Sequence, residues 1–135
     1  MKKLGISAAL LGMLAVVAGA FGAHALSGKL PENLLAAWHT AVEYQFYHAL
    51  TLLATAILYH FFPHRFIRFA AYSFVAGIVL FSGSIYLMGI SHLAQIGSLG
   101  WLGPITPVGG LLLIFGWLFL IAFFAKPGYE KRAYA

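Results

Sequence analysis

The chain has 135 residues, the length of a single domain; 62% of them are hydrophobic and only 8% are charged. Soluble domains carry about 25% charged residues, so this composition excludes an ordinary water-soluble protein and indicates that the solvent is lipid. The chain has no cysteine, which excludes disulfides, thiolate catalysis and cysteine-ligated metals. Its formal charge of +5 comes without a basic stripe interleaved with aromatic residues, so we expect no nucleic-acid partner.

Four apolar segments approach the roughly 20 residues that a helix needs to cross a bilayer. They predict an all-α fold, in which one domain over residues 1–135 is a polytopic membrane protein with four transmembrane helices in a compact bundle. The lipid bilayer is therefore its expected environment. The spans are expected at about residues 4–26, 44–62, 66–90 and 108–125.

The first span also has features of a signal peptide, with Lys2 and Lys3 before an apolar run and "AGA" at 18–20 as a cleavage site. Small residues nevertheless recur along it at alternating spacings of three and four. Such a stripe lets helices approach closely in lipid, whereas a disposable leader has no use for it. We therefore expect this helix to be retained and to pack through Gly5, Ala8, Gly12, Ala15, Gly19 and Gly22.

The second helix is too long for one span. A helix from Pro31 to Phe62 would measure about 48 Å at 1.5 Å per residue, whereas the hydrocarbon core is about 30 Å thick. We therefore expect an interfacial helical extension before the second span, with Trp38 anchored at the outer interface. Glu43 then lies near the outer boundary of the hydrocarbon.

Polar side chains of the second helix share one arc of about 160° at 100° per residue. Polar groups in a membrane point to protein or water, so this arc is expected to face the other helices and Ala49 and Leu53 to face lipid. The arc comprises Thr40, Glu43, Tyr44, Tyr47, His48, Thr51, Thr55 and Tyr59.

A polar cluster is predicted in the outer leaflet, because the first and third helices end on the same side as Glu43. The Glu43 carboxyl group is expected to bond to a histidine or a tyrosine there. Such a bond is either functional or only a lock between helices. The predicted cluster consists of His24, Glu43, Tyr44, His48, Ser91 and His92.

The uncharged segment between the third and fourth helices, residues 91–107, is rich in apolar side chains. It is expected to form an apolar outer loop that lies on the interface or covers the cluster as a buried lid. Thr106 is expected to cap the fourth helix and Pro107 to occupy its first turn.

Basic residues are divided unequally between the two sides of this topology. Only Lys29 lies on the outer side, and the excess of basic residues on the other side predicts that both termini are cytoplasmic. The seven on that side are Lys2, Lys3, Arg65, Arg68, Lys126, Lys131 and Arg132.

Four motifs occur in order along the chain: "GAFGAH" at 19–24, "EYQFYHAL" at 43–50, "VLFSGSIYLMGISHL" at 79–93, and "TPVGG" with "FGW" at 106–117. In these motifs the chain closely resembles the YgdD-like family of small four-helix inner-membrane proteins, which has no assigned function and has distant mitochondrial transmembrane relatives. The resemblance implies a retained first helix, four spans, a bacterial inner membrane and no catalytic residue. The loop "GSLGWLGP" at 97–104 looks longer than the usual connection of that family.

Metal and haem sites are weakly indicated. His39 and Glu43 are four residues apart on one helix, as two ligands would be, but H-E-x-x-H is absent. Haem could be held by two of the three histidines His24, His48 and His92, so a haem- or metal-binding protein stays an alternative. We expect no metal and no cofactor.

The leading hypothesis is a structural or accessory membrane component that assembles with itself or within a larger membrane complex. A small oligomeric transporter or channel using the polar face of the second helix is the alternative. Ser82 and Ser84 lie in the third span, where serine and glycine favour close packing over nucleophilic chemistry. We therefore expect no enzymatic activity.

Overall fold

The computed structural model describes residues 2–97 and 99–126. Within these residues every regular element is helical, and the four long helices are α1 Lys2–Phe21, α2 Glu32–Phe61, α3 Arg65–Leu93 and α4 Ile105–Phe124. A π-helical turn at Gly22–Leu26 extends α1, and a 3-10 turn at Gly100–Leu102 precedes α4. The all-α prediction is confirmed. The predicted basic residues Lys131 and Arg132 lie outside the described part of the chain.

Three segments of the described chain are long and apolar enough to cross a membrane: Lys2–Leu26, Arg65–Leu93 and Gly100–Phe124. The helix α2 is not among them, although its 30 residues measure about 45 Å. Its polar side chains lower its hydropathy, so its placement in the membrane has to be argued from its contacts.

Each helix packs antiparallel to the next one along the chain. Trp38 near the start of α2 donates its indole N–H to the carbonyl of Ala18 near the end of α1, at 2.9 Å. Ser82 in the second half of α3 donates to the carbonyl of Ala41 in the first half of α2, at 2.8 Å. Because α2 runs beside two apolar helices of spanning length, we infer that it crosses with them and that the bundle has four spans.

The small-residue stripe of α1 faces α2. Ala8 and Ala15 are buried, and a Cβ added to Gly19 would lie 3.2 Å from Val42 of α2. Gly5 is the exception, since a Cβ there would meet nothing within 4 Å. Close packing of α1 therefore begins one turn later than the sequence stripe does.

The closest approach between helices is that of α3 and α4. A Cβ at Gly109 would collide with the backbone of Phe81, and one at Gly116 would collide with the ring of Phe74. Only glycine fits at these two positions, because the neighbouring atoms occupy the space of a side chain. The glycines of "TPVGG" and "FGW" therefore fix the distance between these two helices.

The predicted inward arc of α2 is wrong by about one residue, or about 100°. Of that arc, only His48 and Thr55 are buried, while Glu43 is exposed and Tyr47 is 58% exposed. Ala49, predicted to face lipid, is only 2% exposed. Small side chains allow neighbouring backbones to come close, and this outweighs polarity in choosing the inner face. The buried residues are Trp38, Ala41, Gln45, His48, Ala49, Leu52, Thr55 and Ala56.

Trp38 is not the interfacial anchor that was predicted. It is 4% exposed, and its ring lies 4.6 Å from that of Tyr86, between centroids. The indole fits because the residue that faces it, at the start of the π-helical turn, is Gly22. A Cβ on Gly22 would lie 2.8 Å from the Trp38 ring. Trp38 therefore connects the end of α1, the start of α2 and the end of α3.

The connection between α3 and α4 is shorter than predicted, because α3 continues to Leu93 and α4 begins at Ile105. Thr106 lies inside the first turn of α4 and does not cap it. The residue before the helix is Pro104, which supplies no side-chain cap. Trp101 is 65% exposed and Leu102 beside it is 2% exposed, so the connection lies partly at the surface and partly against the bundle. The predicted cap is wrong, and the two alternatives for the loop, an interfacial position or a lid, stay predictions.

Candidate functional site

The six residues of the predicted cluster do not converge. His24, Glu43 and His92 are exposed, whereas His48 and Ser91 are buried. The structure brings together Tyr44 and His48 on α2, whose ring centroids are 5.8 Å apart, and Ser91 with His92 at the end of α3. Among the described residues, the six therefore divide into two pairs, Tyr44 with His48 and Ser91 with His92, with His24 and Glu43 outside both pairs.

The Glu43 carboxyl group forms no hydrogen bond or ion pair with any residue in the described part of the chain. It lies in a groove between α1 and α2 beside Gly19, Ala20, Phe46 and Tyr47. The predicted bond to a cluster histidine or tyrosine is not formed, because the outward rotation of this face of α2 carries Glu43 away from α3.

Two predicted residues on α2 have rings that contact other helices: Tyr44 stacks on Phe81 of α3 with 4.9 Å between centroids, and His48 reaches both α3 and α4. The His48 Nδ1 lies 2.7 Å from the carbonyl oxygen of Tyr44, and its Nε2 lies 3.3 Å from the indole N–H of Trp117 in α4. A carbonyl only accepts and an indole N–H only donates, so His48 carries its proton on Nδ1 and is neutral. Its ring also packs against Phe74 of α3, with 5.7 Å between centroids.

Two further side chains are bonded to the backbone of a neighbouring helix. Gln45 donates its amide Nε2 to the carbonyl of Leu11 in α1 at 2.8 Å, and Ser82 donates to Ala41. Gln45 is 4% exposed, and Ser82 is 1% exposed. In lipid such bonds connect helices while removing the cost of burying a polar group.

Ser84 and Thr106 connect α3 and α4. Their hydroxyl oxygens are 2.6 Å apart, and Ser84 also bonds to the carbonyl of Phe81 within α3. Ser84 is 3% exposed, and neither of its two partners is a base of the kind that activates a serine nucleophile. The expectation that these serines serve packing agrees with this geometry.

The sequence reasoning missed Gln45 and Trp117, which make two of the connections between helices. Gln45 could have been found from spacing, because it continues the series of Trp38, Ala41 and His48 at intervals of three and four residues. Trp117 offers no such signal, since α4 is apolar on nearly every face.

The end of α3 borders a cavity of about 480 Å³ at the end of the bundle that holds the α3–α4 connection. Ser91, His92 and Gln95 line this cavity. The Ser91 hydroxyl donates to the carbonyl of Met88 at 2.9 Å, which leaves His92 and Gln95 as the polar side chains without a described hydrogen bond there. Gln95 has a φ of 53°, the left-handed region that few residues other than glycine adopt. Within the described residues no group of three or more histidine and acidic side chains is arranged to hold a metal ion.

The family is settled by comparison with known proteins. The family described as "Protein of unknown function (DUF423)" matches residues 18–110. The chain belongs to the DUF423 family. That match runs from the end of α1 through the whole of α2 and α3 to the start of α4.

Similar proteins named UPF0382 membrane proteins occur in Bacillus and Staphylococcus. The UPF0382 membrane protein YwdK of Bacillus subtilis (strain 168) is 41% identical over 122 residues, which cover 90% of this chain and 94% of the relative. A UPF0382 membrane protein of Staphylococcus aureus (strain bovine RF122 / ET3-1) is 40% identical over 121 residues, covering 90% and 93%. No solved structure matches the chain.

These relatives confirm that the chain is a membrane protein of an uncharacterised family, as the motifs predicted. The narrower YgdD label stays a prediction. Neither the family description nor the relatives' names assign a role to any residue, so the chemistry of the site has to be argued from the bundle itself.

Proposed function

We propose that this protein is a non-catalytic structural or accessory component of the bacterial inner membrane. The observation that carries the proposal is the use of the buried polar side chains. His48 bonds to α4 through Trp117, Gln45 bonds to α1, and Ser82 bonds to α2. A polar group committed to a neighbouring helix holds the bundle together and is not available to a substrate.

The interior of the bundle supports the same proposal. Phe74, Leu52 and Ile67 are among the largest fully buried side chains, and they occupy the space between the helices. A pathway for a solute would need polar or water-filled space at that depth. Apolar filling of this kind suits a rigid part of an assembly.

The proposed orientation has both termini in the cytoplasm. Lys3, Arg65, Arg68 and Lys126 lie at the end of the bundle that holds the α2–α3 connection, whereas Lys29 lies in the opposite connection. Cytoplasmic loops of membrane proteins carry such an excess of lysine and arginine.

Purification of the tagged protein from native membranes tests the accessory role. In a mild detergent, we expect it to be recovered at fixed stoichiometry with further copies or with other membrane proteins, identified by mass spectrometry. Gln45→Leu, which removes the bond to α1, should weaken this recovery, whereas Leu53→Ile on the exposed surface should not. A monomer without any companion in native membranes would contradict the role.

The exposed polar face of α2 favours a second candidate, an oligomeric channel or transporter. Glu43 and Tyr47 point away from the bundle and could line a pathway between copies. Flux across liposomes containing the purified protein separates the candidates. The accessory role predicts no flux above protein-free liposomes, whereas a channel predicts flux that both Glu43→Gln and Glu43→Leu abolish.

A further inference from the structure

The outer half of α2 carries a polar face that points away from the bundle. This outer α2 face consists of His39, Thr40, Glu43 and Tyr47, all of which are exposed. Thr40 is satisfied within α2, since its hydroxyl donates to the carbonyl of Ala36 at 3.2 Å. In the described residues, no hydrogen bond is formed by the His39 ring, the Glu43 carboxyl group or the Tyr47 hydroxyl.

The depth of these groups makes their exposure costly. Glu43 precedes Phe61, the inner end of α2, by 18 residues, which is about 27 Å, and Tyr47 precedes it by 14 residues, about 21 Å. With a hydrocarbon core of about 30 Å, the Tyr47 hydroxyl lies inside it and Glu43 lies at its outer edge. Polar side chains at that depth face protein or water and not acyl chains.

We propose that the outer α2 face binds a second copy of this chain, the two copies being related by a two-fold axis along the membrane normal. The inference rests on the proposed accessory role. A two-fold interface brings the same surface of both copies together, so it must be complementary to itself. This face is self-complementary, because Glu43 is an acceptor while His39 and Tyr47, about one helical turn to either side, are donors.

In this arrangement the carboxyl group of Glu43 accepts a hydrogen bond from His39 or Tyr47 of the second copy, and the reciprocal bond forms at the symmetric position. Each copy therefore supplies the hydrogen-bond partner that the other lacks. A two-fold axis along the membrane normal places equal heights opposite each other, so each donor lies four residues, about 6 Å, from the opposite Glu43 along the axis, a distance that the long side chains of Glu43 and Tyr47 bridge.

The surface next to Glu43 has the shape that such an approach requires. A groove of about 510 Å³ runs between α1 and α2, and the α1 side of it carries Ala15, Val16, Gly19 and Ala20. Ala15 and Gly19 pack against α2, so the exposed Val16 and Ala20 form the open wall of this groove. The aromatic ring of Phe46 or Tyr47 from the second copy is of a size to enter this groove.

Single-cysteine cross-linking in native membranes tests the interface, and the natural absence of cysteine makes the readout clean. Thr40→Cys places a thiol on the face and near the axis. Leu87→Cys on α3, a similar distance from the inner end of its helix and 52% exposed, is the matched control. Under mild oxidation we expect a disulfide-linked dimer of the Thr40→Cys chain and at least a tenfold lower yield for Leu87→Cys.

A second arm examines the carboxyl group in the Thr40→Cys background. Glu43→Leu should lower the dimer association at least about tenfold, because two bonds are lost per dimer, whereas Glu43→Gln keeps an acceptor and should retain most of it. If Glu43→Leu fails to insert, the double variant His39→Phe with Tyr47→Phe removes both donors and should give the same loss.

Three results would overturn the inference: no dimer at Thr40→Cys, equal dimers at both positions, or a dimer indifferent to Glu43→Leu. A cross-link from Thr40→Cys to a different protein would overturn the second copy as the occupant while leaving the accessory role in place. A complex recovered from membranes without any Thr40→Cys dimer would likewise reject only this interface.

Discussion

At the scale of single residues, the bundle shows what a membrane interior does with polar side chains. His48, Gln45 and Ser82 each find a partner on another helix. Such bonds contribute little net stability, about 0.6 kcal/mol on average in membranes, because the unfolded chain in lipid also finds partners. Leaving one partner unpaired costs more, since the buried group keeps its desolvation penalty.

Removal of the His48–Trp117 bond should therefore have a modest and measurable effect. Trp117→Phe keeps an aromatic ring against Phe74 but removes the indole N–H, which leaves Nε2 of His48 without its donor. In a double-mutant cycle with His48→Phe, we expect a coupling energy of about 0.6 kcal/mol and no more than about 1.7 kcal/mol. Reversible unfolding in detergent measures it, and a coupling of zero would show that the bond does not form.

Tyr86 presents the opposite case. Its hydroxyl oxygen is buried and has no hydrogen-bond partner among the described residues, while its ring packs against Trp38. Tyr86→Phe keeps the ring and removes the unpaired group, so we expect it to raise the free energy of unfolding by about 1 kcal/mol. A clear loss of stability in the same unfolding measurement would mean that the hydroxyl has a partner, such as a bound lipid.

At the scale of helices, glycine positions set the packing distances more than apolar side chains do. Gly109 and Gly116 of α4 sit directly against Phe81 and Phe74 of α3, whereas Gly83 on α3 has open space around it. All three cost helix propensity relative to alanine. For Gly109 and Gly116 the close contact with α3 offsets this loss of helix propensity, whereas Gly83 has no such contact.

Alanine substitutions distinguish the two kinds of glycine. Gly109→Ala forces α3 and α4 apart, because the added Cβ would collide with the backbone of Phe81, and we expect a loss of about 1–3 kcal/mol, the usual cost of overpacking. Gly83→Ala has room and gains helix propensity, so it should be neutral or stabilising by up to about 1 kcal/mol. Thermal unfolding of both variants in one detergent compares them. Equal losses would show that the contact at Gly109 is not tight.

The sequence predicts the helices better than it predicts their orientation. Hydropathy locates α1, α3 and α4 within a few residues, because each element exceeds the length of a span. Hydropathy does not tell which face of α2 is inside, since Glu43 and Tyr47 are polar and exposed while Ala49 is apolar and buried. The inner face of α2 is set by small side chains such as Ala41 and Ala49 that pack against neighbouring helices, and hydropathy does not measure this packing.

The predicted cluster fails for a related reason. His24, Glu43 and His92 do lie toward the same end of the bundle, which is what chain order and helix length can predict. Whether these side chains meet depends on how each helix is rotated about its own axis. Assigning the inner face wrongly by one residue turns every side chain of that helix by about 100°. The prediction that His48 faces inward is correct, because His48 belongs both to the predicted inner face of α2 and to the observed one.

At the scale of the whole molecule, the number of spans depends on α2. Three segments qualify for crossing on length and apolarity alone, and a chain in which only they crossed would place its termini on opposite sides. The contacts of α2 with both α1 and α3 require it to lie at the same depth as those helices. With four crossings, the connections at 27–31 and 94–104 lie on one side of the membrane and the connection at 62–64 lies on the other, which is the cytoplasmic side in the proposed orientation.

Labelling of single cysteines from outside intact cells decides between these topologies. Ser27→Cys and Ile96→Cys lie in the two outer connections, and Ile96 is 72% exposed, so both should react with an impermeant maleimide. Lys3→Cys and Pro63→Cys should react only after the membrane is opened. Pro63 is the informative position, because a chain whose α2 stayed outside would hold it on the same side as Ser27. External reaction at Pro63→Cys with the fold intact would show that α2 does not cross the membrane. Protection of Pro63→Cys together with external reaction at Ile96→Cys would show that α2 and α3 cross in opposite directions.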